Sequence, residues 1–201
     1  MIVINNNTID YYENNASSFA QGTIDVEFVD VQNRFRSLIP QGGYILDFGC
    51  GSGRDTKYFI SKGYKVDATD GSEKLCEIAS ENTGIDVKHM LFSELNADAK
   101  YDGIWACASI LHLQKEELKL VFGKMIKAVK PGGYIYTSFK YGGYEGYRKD
   151  RYFTDFTSET FRVFAKNFPE MMLIEEWVSA DVRPGRSDEK WLNVILKRCD
   201  G

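Results

Sequence analysis

The chain has 201 residues, 43% of them hydrophobic and 27% charged, a length that fits one domain with a core needing no metal or disulfide staples. Lys and Arg total 25 against 29 Asp and Glu, for a net charge of −4, which disfavours a broad nucleic-acid-binding face. Thirteen Phe, twelve Tyr and three Trp exclude a disordered chain. Cys50, Cys76, Cys107 and Cys199 form no C-x-x-C pair, and His89 and His112 are the only histidines, so the pattern argues against a bound metal. Met1 to Ile4, followed by a run of Asn, lacks the features of a secretory leader, and the longest nearly apolar run, Gly103 to Leu113, is about half a membrane span. These features point to a soluble, cytoplasmic protein with reduced thiols and no membrane partner.

Residues 9 to 21 predict a polar, Tyr-bearing first helix. A second is expected from Thr23, with Phe28, Val31, Phe35, Leu38 and Ile39 near helical spacing and Pro40 as its stop. Tyr44 to Phe48 is a short apolar run closed by glycines and predicts a buried strand. A helix follows over Arg54 to Ser61, then a strand over Tyr64 to Thr69, then a helix N-capped by Ser72. Ile85 to Leu91 and Tyr101 to Ala108 read as a third and fourth strand. Leu118, Val121, Phe122, Met125, Ile126 and Val129 mark one face of a helix that Pro131-Gly132-Gly133 ends before a strand over Tyr134 to Lys140. Strands alternating with helices indicate a mostly parallel sheet covered on both faces. Beyond it lie a Gly- and Tyr-rich loop over 141–156, a helix from Thr157, and two late strands, Met171 to Ala180 and Lys190 to Arg198, able to form an edge hairpin. No internal repeat or domain boundary is evident, so 1–201 is read as one domain.

The most informative stretch is Ile45-Leu46-Asp47-Phe48-Gly49-Cys50-Gly51-Ser52-Gly53-Arg54-Asp55. A strand turns through glycines into a helix, so backbone can approach a ligand closely. A nicotinamide or flavin fingerprint, G-x-G-x-x-G, would need a third glycine where Arg54 stands, and would bring pyrophosphate near Asp47. A carboxylate at Asp47 instead suits an ammonium group. Asp70, 17 residues after Gly53 and at the end of the second strand, is placed to accept ribose hydroxyls; Asp67 is the rival acid, part-way along that strand. Arg54, a cation in the first turn of its helix, opposes the helix dipole and calls for an anionic partner.

The segments LDFGCGSGRD (46–55), GYKVDATD (63–70), YDGIWACASILHL (101–113) and KPGGYIYTSFKYG (130–142) resemble the class I S-adenosylmethionine-dependent methyltransferases, nearest the tellurite-resistance-type group. The resemblance is carried by residues 40 to 140. It implies a Rossmann-like sheet of seven strands in the order 3-2-1-4-5-7-6, with only strand 7 antiparallel. It also implies S-adenosylmethionine as cofactor, with S-adenosylhomocysteine as product. Gly49, Gly51 and Gly53 would pass beside its methionine and ribose portion, Asp47 would face its ammonium group, and Arg54 its carboxylate. Asp70 would hold the ribose diol, backbone around Cys107 would meet the amine, and Met90 and Leu91 would flank the adenine. Many relatives carry an Asp on that adenine side, which this chain lacks.

The remaining candidates each have two readings. Tyr11 and Tyr12, with Asn15, Ala16 and Phe19, form either a lid within residues 1–40 or a cover over a sheet edge. Cys107 is either a nucleophile or a small buried hydrophobe. His112 is either a general base or a histidine packed beneath the acceptor pocket. In the 141–156 loop, Tyr147, Arg148 and Arg151 either face an anionic acceptor or lie in solvent, and Arg183 and Trp191 repeat the choice in the late hairpin. The expected activity is methyl transfer to a small-molecule acceptor. The alternatives are an RNA or protein methyltransferase using the basic 140–152 segment, and a non-catalytic protein that binds S-adenosylmethionine. Neither the acceptor nor the oligomeric state is legible in the sequence.

Overall fold

The computed structural model describes residues 6–199, so the leader reading of Met1 to Ile4 lies outside the described residues. Seven strands form one sheet: β1 (Tyr44–Phe48), β2 (Lys65–Asp70), β3 (Lys88–His89), β4 (Tyr101–Ala106), β5 (Val129–Lys140), β8 (Met171–Ala180) and β9 (Lys190–Arg198). Their order is β3-β2-β1-β4-β5-β9-β8. The first five run parallel, and β9 inserts antiparallel between β5 and β8. This is the Rossmann-like order expected from the resemblance, the last chain strand taking the penultimate place. The helices are α1 (Asn6–Gln21), α2 (Val29–Arg36), α3 (Arg54–Ser61), α4 (Glu73–Thr83), α5 (Lys115–Ala128) and α6 (Ser158–Ala165).

Strand side chains alternate between faces, so successive apolar residues split between two cores. Leu46, Ile104, Ile135 and Val194 point toward the face holding Phe122 of α5 and Phe161 and Phe164 of α6. Ile45, Trp105, Tyr136 and Ile195 point the other way, against Phe35 of α2 and Phe59 of α3. Trp105 and Tyr136 stack with ring centroids 4.0 Å apart.

Four sequence boundaries are corrected. Residues 23–28 are turn and coil, and α2 begins only at Val29. The third strand shrinks from 85–91 to Lys88–His89 because it is an edge with only Thr69 and Asp70 of β2 to pair with. The fourth strand stops at Ala106, before the left-handed Ala108 (φ 50°). β5 starts at Val129 rather than Tyr134, since Val129 already pairs with Tyr101 across a register shift.

The 141–156 segment is not a loop throughout. Strands β6 (Glu145–Arg148) and β7 (Arg151–Thr154) make a two-stranded hairpin turning at the left-handed Lys149 (φ 54°). Tyr147 and Tyr152 pair across it edge to face.

Candidate active site

The carboxyl ends of β1, β2 and β4 open onto a cavity of about 730 Å³, bounded above by α1 and at its far end by the β6–β7 hairpin and the 181–189 loop. The floor is the turn between β1 and α3. Gly49 and Cys50 both donate backbone N–H groups to the Thr69 carbonyl at 2.9 Å, which fixes the turn to β2. Gly51 N–H donates to one oxygen of Asp70 at 2.9 Å, and Ser72 N–H to the other at 3.0 Å. Burial pushes the Asp70 carboxyl up while these backbone amides hold it down. Each oxygen retains acceptor capacity, and the residue lines the cavity.

Gly51 needs its hydrogen: at φ +55° a Cβ would stand 3.0 Å from the Phe19 ring, which lies over the turn. Gly53 is glycine for a different reason. Its Cβ would meet Thr83 Cγ2 at 2.8 Å and Ala79 Cβ at 3.1 Å, so it lets α3 pack on α4, and it is not on the cavity wall. Gly49 and Gly51 are on that wall.

Asp47 is 2% exposed and sits beneath the turn, accepting the Thr56 hydroxyl at 2.5 Å, rather than on the wall where sequence reasoning put it. Burial, with the negative charge of Asp55 beside it, pushes its carboxyl up to about 8. Arg54 is on the wall, but its Nε and one terminal nitrogen grip Asp55 at 2.8 and 2.9 Å, and it lies 4.8 Å over the Phe28 ring. The anionic partner that its place on the helix requires is thus supplied by the next residue. Asp55, missed by sequence reasoning, also accepts Gln32 Nε2 at 2.7 Å and the Trp105 indole at 2.8 Å. Burial alone would raise its carboxyl; the Arg54 charge and hydrogen bond, with those of Trp105 and Gln32, together hold it below the ordinary value. The adjacent Arg-Asp pair was visible in sequence, but Gln32 and Trp105 lie 23 and 50 residues away.

Helix α1 closes over this floor. Glu13 accepts the Ser72 hydroxyl at 2.6 Å, and Thr8 accepts the Tyr152 N–H at 3.1 Å, so α1 is tied to both the α4 N-terminus and β7. Tyr12 lies edge-on to Phe19, and its hydroxyl is 2.9 Å from His112 Nε2. His112 Nδ1 is 2.6 Å from the Tyr152 carbonyl, which can only accept. Nδ1 therefore carries the proton, and Nε2 accepts the Tyr12 hydroxyl. Burial lowers the imidazole to about 4; the Tyr152 contact opposes this and the charge of Arg151 adds to it. A neutral, doubly bonded ring of this kind orients Tyr12 and is a poor base at neutral pH.

Arg151 donates to the Tyr12 hydroxyl at 3.2 Å and lies over the rings of Tyr11 (4.5 Å), Phe153 (5.2 Å) and Tyr12 (5.7 Å). Arg148 forks onto the buried Asp155, and Arg183 onto Asp181, which also accepts the Trp191 indole at 3.1 Å. Arg148, Arg151, Arg183 and Trp191 all line the cavity. Tyr11 and Tyr147 do not; nor do Met90 and Leu91, which sit beside Asp70 and Gly71, Met90 donating its N–H to the Asp70 carbonyl at 2.9 Å. Cys107 is on the wall, its thiol pushed up to about 12 by burial, which removes the thiolate a nucleophile needs.

Residues 45–133 match the family model described as a methyltransferase domain. That match spans 89 residues, less than half of the 201-residue chain. An uncharacterized protein of Methanocaldococcus jannaschii is 32% identical over 109 residues, covering 50% of this chain; the chain spans only 29% of that relative's length. Among solved structures, the fold is similar to a putative methyltransferase of Haloferax volcanii, crystallised with the Trm112 methyltransferase activator (TM-score 0.76, 15% identity, 96% of this chain and 98% of that one). It is also similar to the 1,6-didemethyltoxoflavin-N1-methyltransferase of Burkholderia thailandensis, solved with its substrate and S-adenosylhomocysteine (TM-score 0.70, 19% identity, 95% and 90% covered). At these identities the likeness establishes the fold and no subgroup.

The residues of the cavity fit S-adenosylmethionine, the cofactor that the sequence resemblance implies. The turn presents two wall glycines, Gly49 against the Phe92 ring and Gly51 against the Phe19 ring, each of which a Cβ would crowd, and a half-buried carboxylate with open acceptor positions faces the same space. No helix among the described residues is long and apolar enough to cross a membrane.

Proposed function

We propose that the protein transfers the methyl group of S-adenosylmethionine to a small-molecule acceptor. The observation that carries this reading is a single cavity joining the glycine turn and Asp70 to a second, cation-lined end. At about 730 Å³ it stands in the upper part of the range for ligand pockets, roughly 300–1,000 Å³, with room for an acceptor beside the cofactor. When bound, the cofactor supplies a sulfonium-activated methyl, so the chain's own task is positioning and exclusion of water.

Asp70 would accept the ribose hydroxyls while its remaining bonds hold Gly51 and Ser72 in place. Arg54, steadied by Asp55, would present its remaining donors to the methionine carboxylate. Helix α1 acts as the lid, with Phe19 over the turn and Tyr12 fixed by His112. His112 keeps the Tyr12 hydroxyl oriented and takes no proton from the acceptor. The substrate bound in the Burkholderia relative is itself a small molecule, which supports the same acceptor class here. The resemblance to the tellurite-resistance-type group does not make tellurite the acceptor. Four free cysteines are consistent with a cytoplasmic setting.

Calorimetric titration of S-adenosylhomocysteine, with NADH as control, tests the cofactor. Micromolar or tighter binding of the first and none of the second is expected; the reverse overturns the reading. Incubation of a cell extract with methyl-labelled cofactor tests the acceptor. Label in the low-mass filtrate is expected, and label confined to RNA or protein would refute a small acceptor.

A further inference from the structure

Four cations on the cavity wall are half-buried: Arg54, Lys140, Arg151 and Arg183. Three of them are neutralised by the chain itself. Arg54 holds Asp55, Lys140 holds Glu189 with Asp181 at 3.7 Å, and Arg183 forks onto Asp181. Arg151 has no carboxylate within salt-bridge distance among the described residues. Among those residues it makes one hydrogen bond, to the Tyr12 hydroxyl, and otherwise lies over three aromatic rings.

A guanidinium has five N–H donors in one plane. Ring contacts stabilise the charge without occupying those donors, so Arg151 is held in position with most of its fork unused. A half-buried cation without a counter-charge is costly unless a ligand supplies one. Its place is close to the floor: Arg151 touches Tyr12, Tyr12 touches Phe19, and Phe19 stands over Gly51.

We infer that Arg151 is the anion seat of this cavity and that the acceptor is a small molecule bearing a carboxylate. The seat itself is built by the chain alone; the word acceptor rests on the methyl-transfer reading above. A monoanion fits better than a dianion because the other three half-buried wall cations are already matched by carboxylates, which leaves Arg151 with one unmatched charge among the described residues. A carboxylate also matches the two parallel N–H groups of a guanidinium edge. Arg148, the neighbouring candidate, is committed to Asp155 and is not the seat.

Benzoate, its uncharged isostere benzamide and phenyl phosphate are the probes, titrated into the protein with and without S-adenosylhomocysteine. Wild type should bind benzoate about 10- to 150-fold more tightly than benzamide, the range of one charge-assisted hydrogen bond. R151Q should erase that preference, and R151K should keep a reduced one, because an ammonium retains charge and loses the fork. Equal binding of benzoate and benzamide by wild type, or a preference surviving in R151Q, overturns the seat. Tighter binding of phenyl phosphate than of benzoate overturns the carboxylate. If R151Q does not fold, R151K decides: an undiminished preference refutes the role of the fork. S-adenosylhomocysteine binding without benzoate preference refutes the seat alone. Benzoate preference without S-adenosylhomocysteine binding upholds the seat and refutes the methyl-transfer reading.

Discussion

Replacing Asp70 by Ala removes one carboxylate that serves two tasks, and the structure allows the two to be separated. Its oxygens accept Gly51 N–H at 2.9 Å and Ser72 N–H at 3.0 Å, so the substitution strands two backbone donors and loosens the turn. Each stranded donor costs about 1–3 kcal/mol where water cannot reach it. Gly51 and Ser72 line a cavity that water can enter, so the cost falls below that range, to about 1 kcal/mol for the two together. The ligand effect is larger: a ribose hydroxyl donating to a charged carboxylate contributes about 1.5–3 kcal/mol, a 10- to 150-fold loss of S-adenosylhomocysteine affinity. Calorimetry reads the affinity and denaturant unfolding reads the stability. Asp70→Asn keeps an acceptor for one amide and should recover part of the stability with little of the affinity. A folded Asp70→Ala protein that binds within twofold of wild type would refute the ribose role and leave Asp70 as a clasp for the turn.

The His112 imidazole is lowered from 6.5 to about 4, so between those values the unfolded chain binds a proton that the native one does not. Its contribution is present above about pH 6.5 and is lost as pH falls toward 4, by roughly 3 kcal/mol; unfolding of His112→Asn across that window should show a correspondingly shallower slope. Trp105→Phe removes the indole donor to Asp55 and part of a fully buried ring, so a loss of about 2 kcal/mol in denaturant unfolding is expected. Gly53→Ala should destabilise by about 1–3 kcal/mol, because φ is +76° and the new methyl meets Thr83 and Ala79; unchanged thermal unfolding would refute the packing role. Glu13→Ala cuts the tie from α1 to Ser72 and should speed proteolysis within residues 6–21 while leaving the α3–α4 core protected.

Much of the architecture is local in origin and therefore readable along the chain. The run Tyr44 to Phe48 could only be a buried strand, the Gly49–Gly53 turn had to separate it from a helix, and the period-2 split of Ile45 from Leu46 or Ile104 from Trp105 follows from strand geometry. The position of Asp70 at the end of β2 is likewise a matter of counting residues along alternating elements. What the sequence could not decide is which charges would meet. Asp47, Arg54, Arg148 and Arg183 are indistinguishable in sequence from free charges, yet Thr56, Asp55, Asp155 and Asp181 engage them across distances of one to nine residues. Arg151 is different only because the hairpin sets it against the rings of α1, some 139 residues earlier, with no carboxylate of the described residues in reach. Backbone periodicity depends on each residue's neighbours in the chain. The availability of a charge depends on its neighbours in space, and those exist only once the sheet has brought α1 and β7 together.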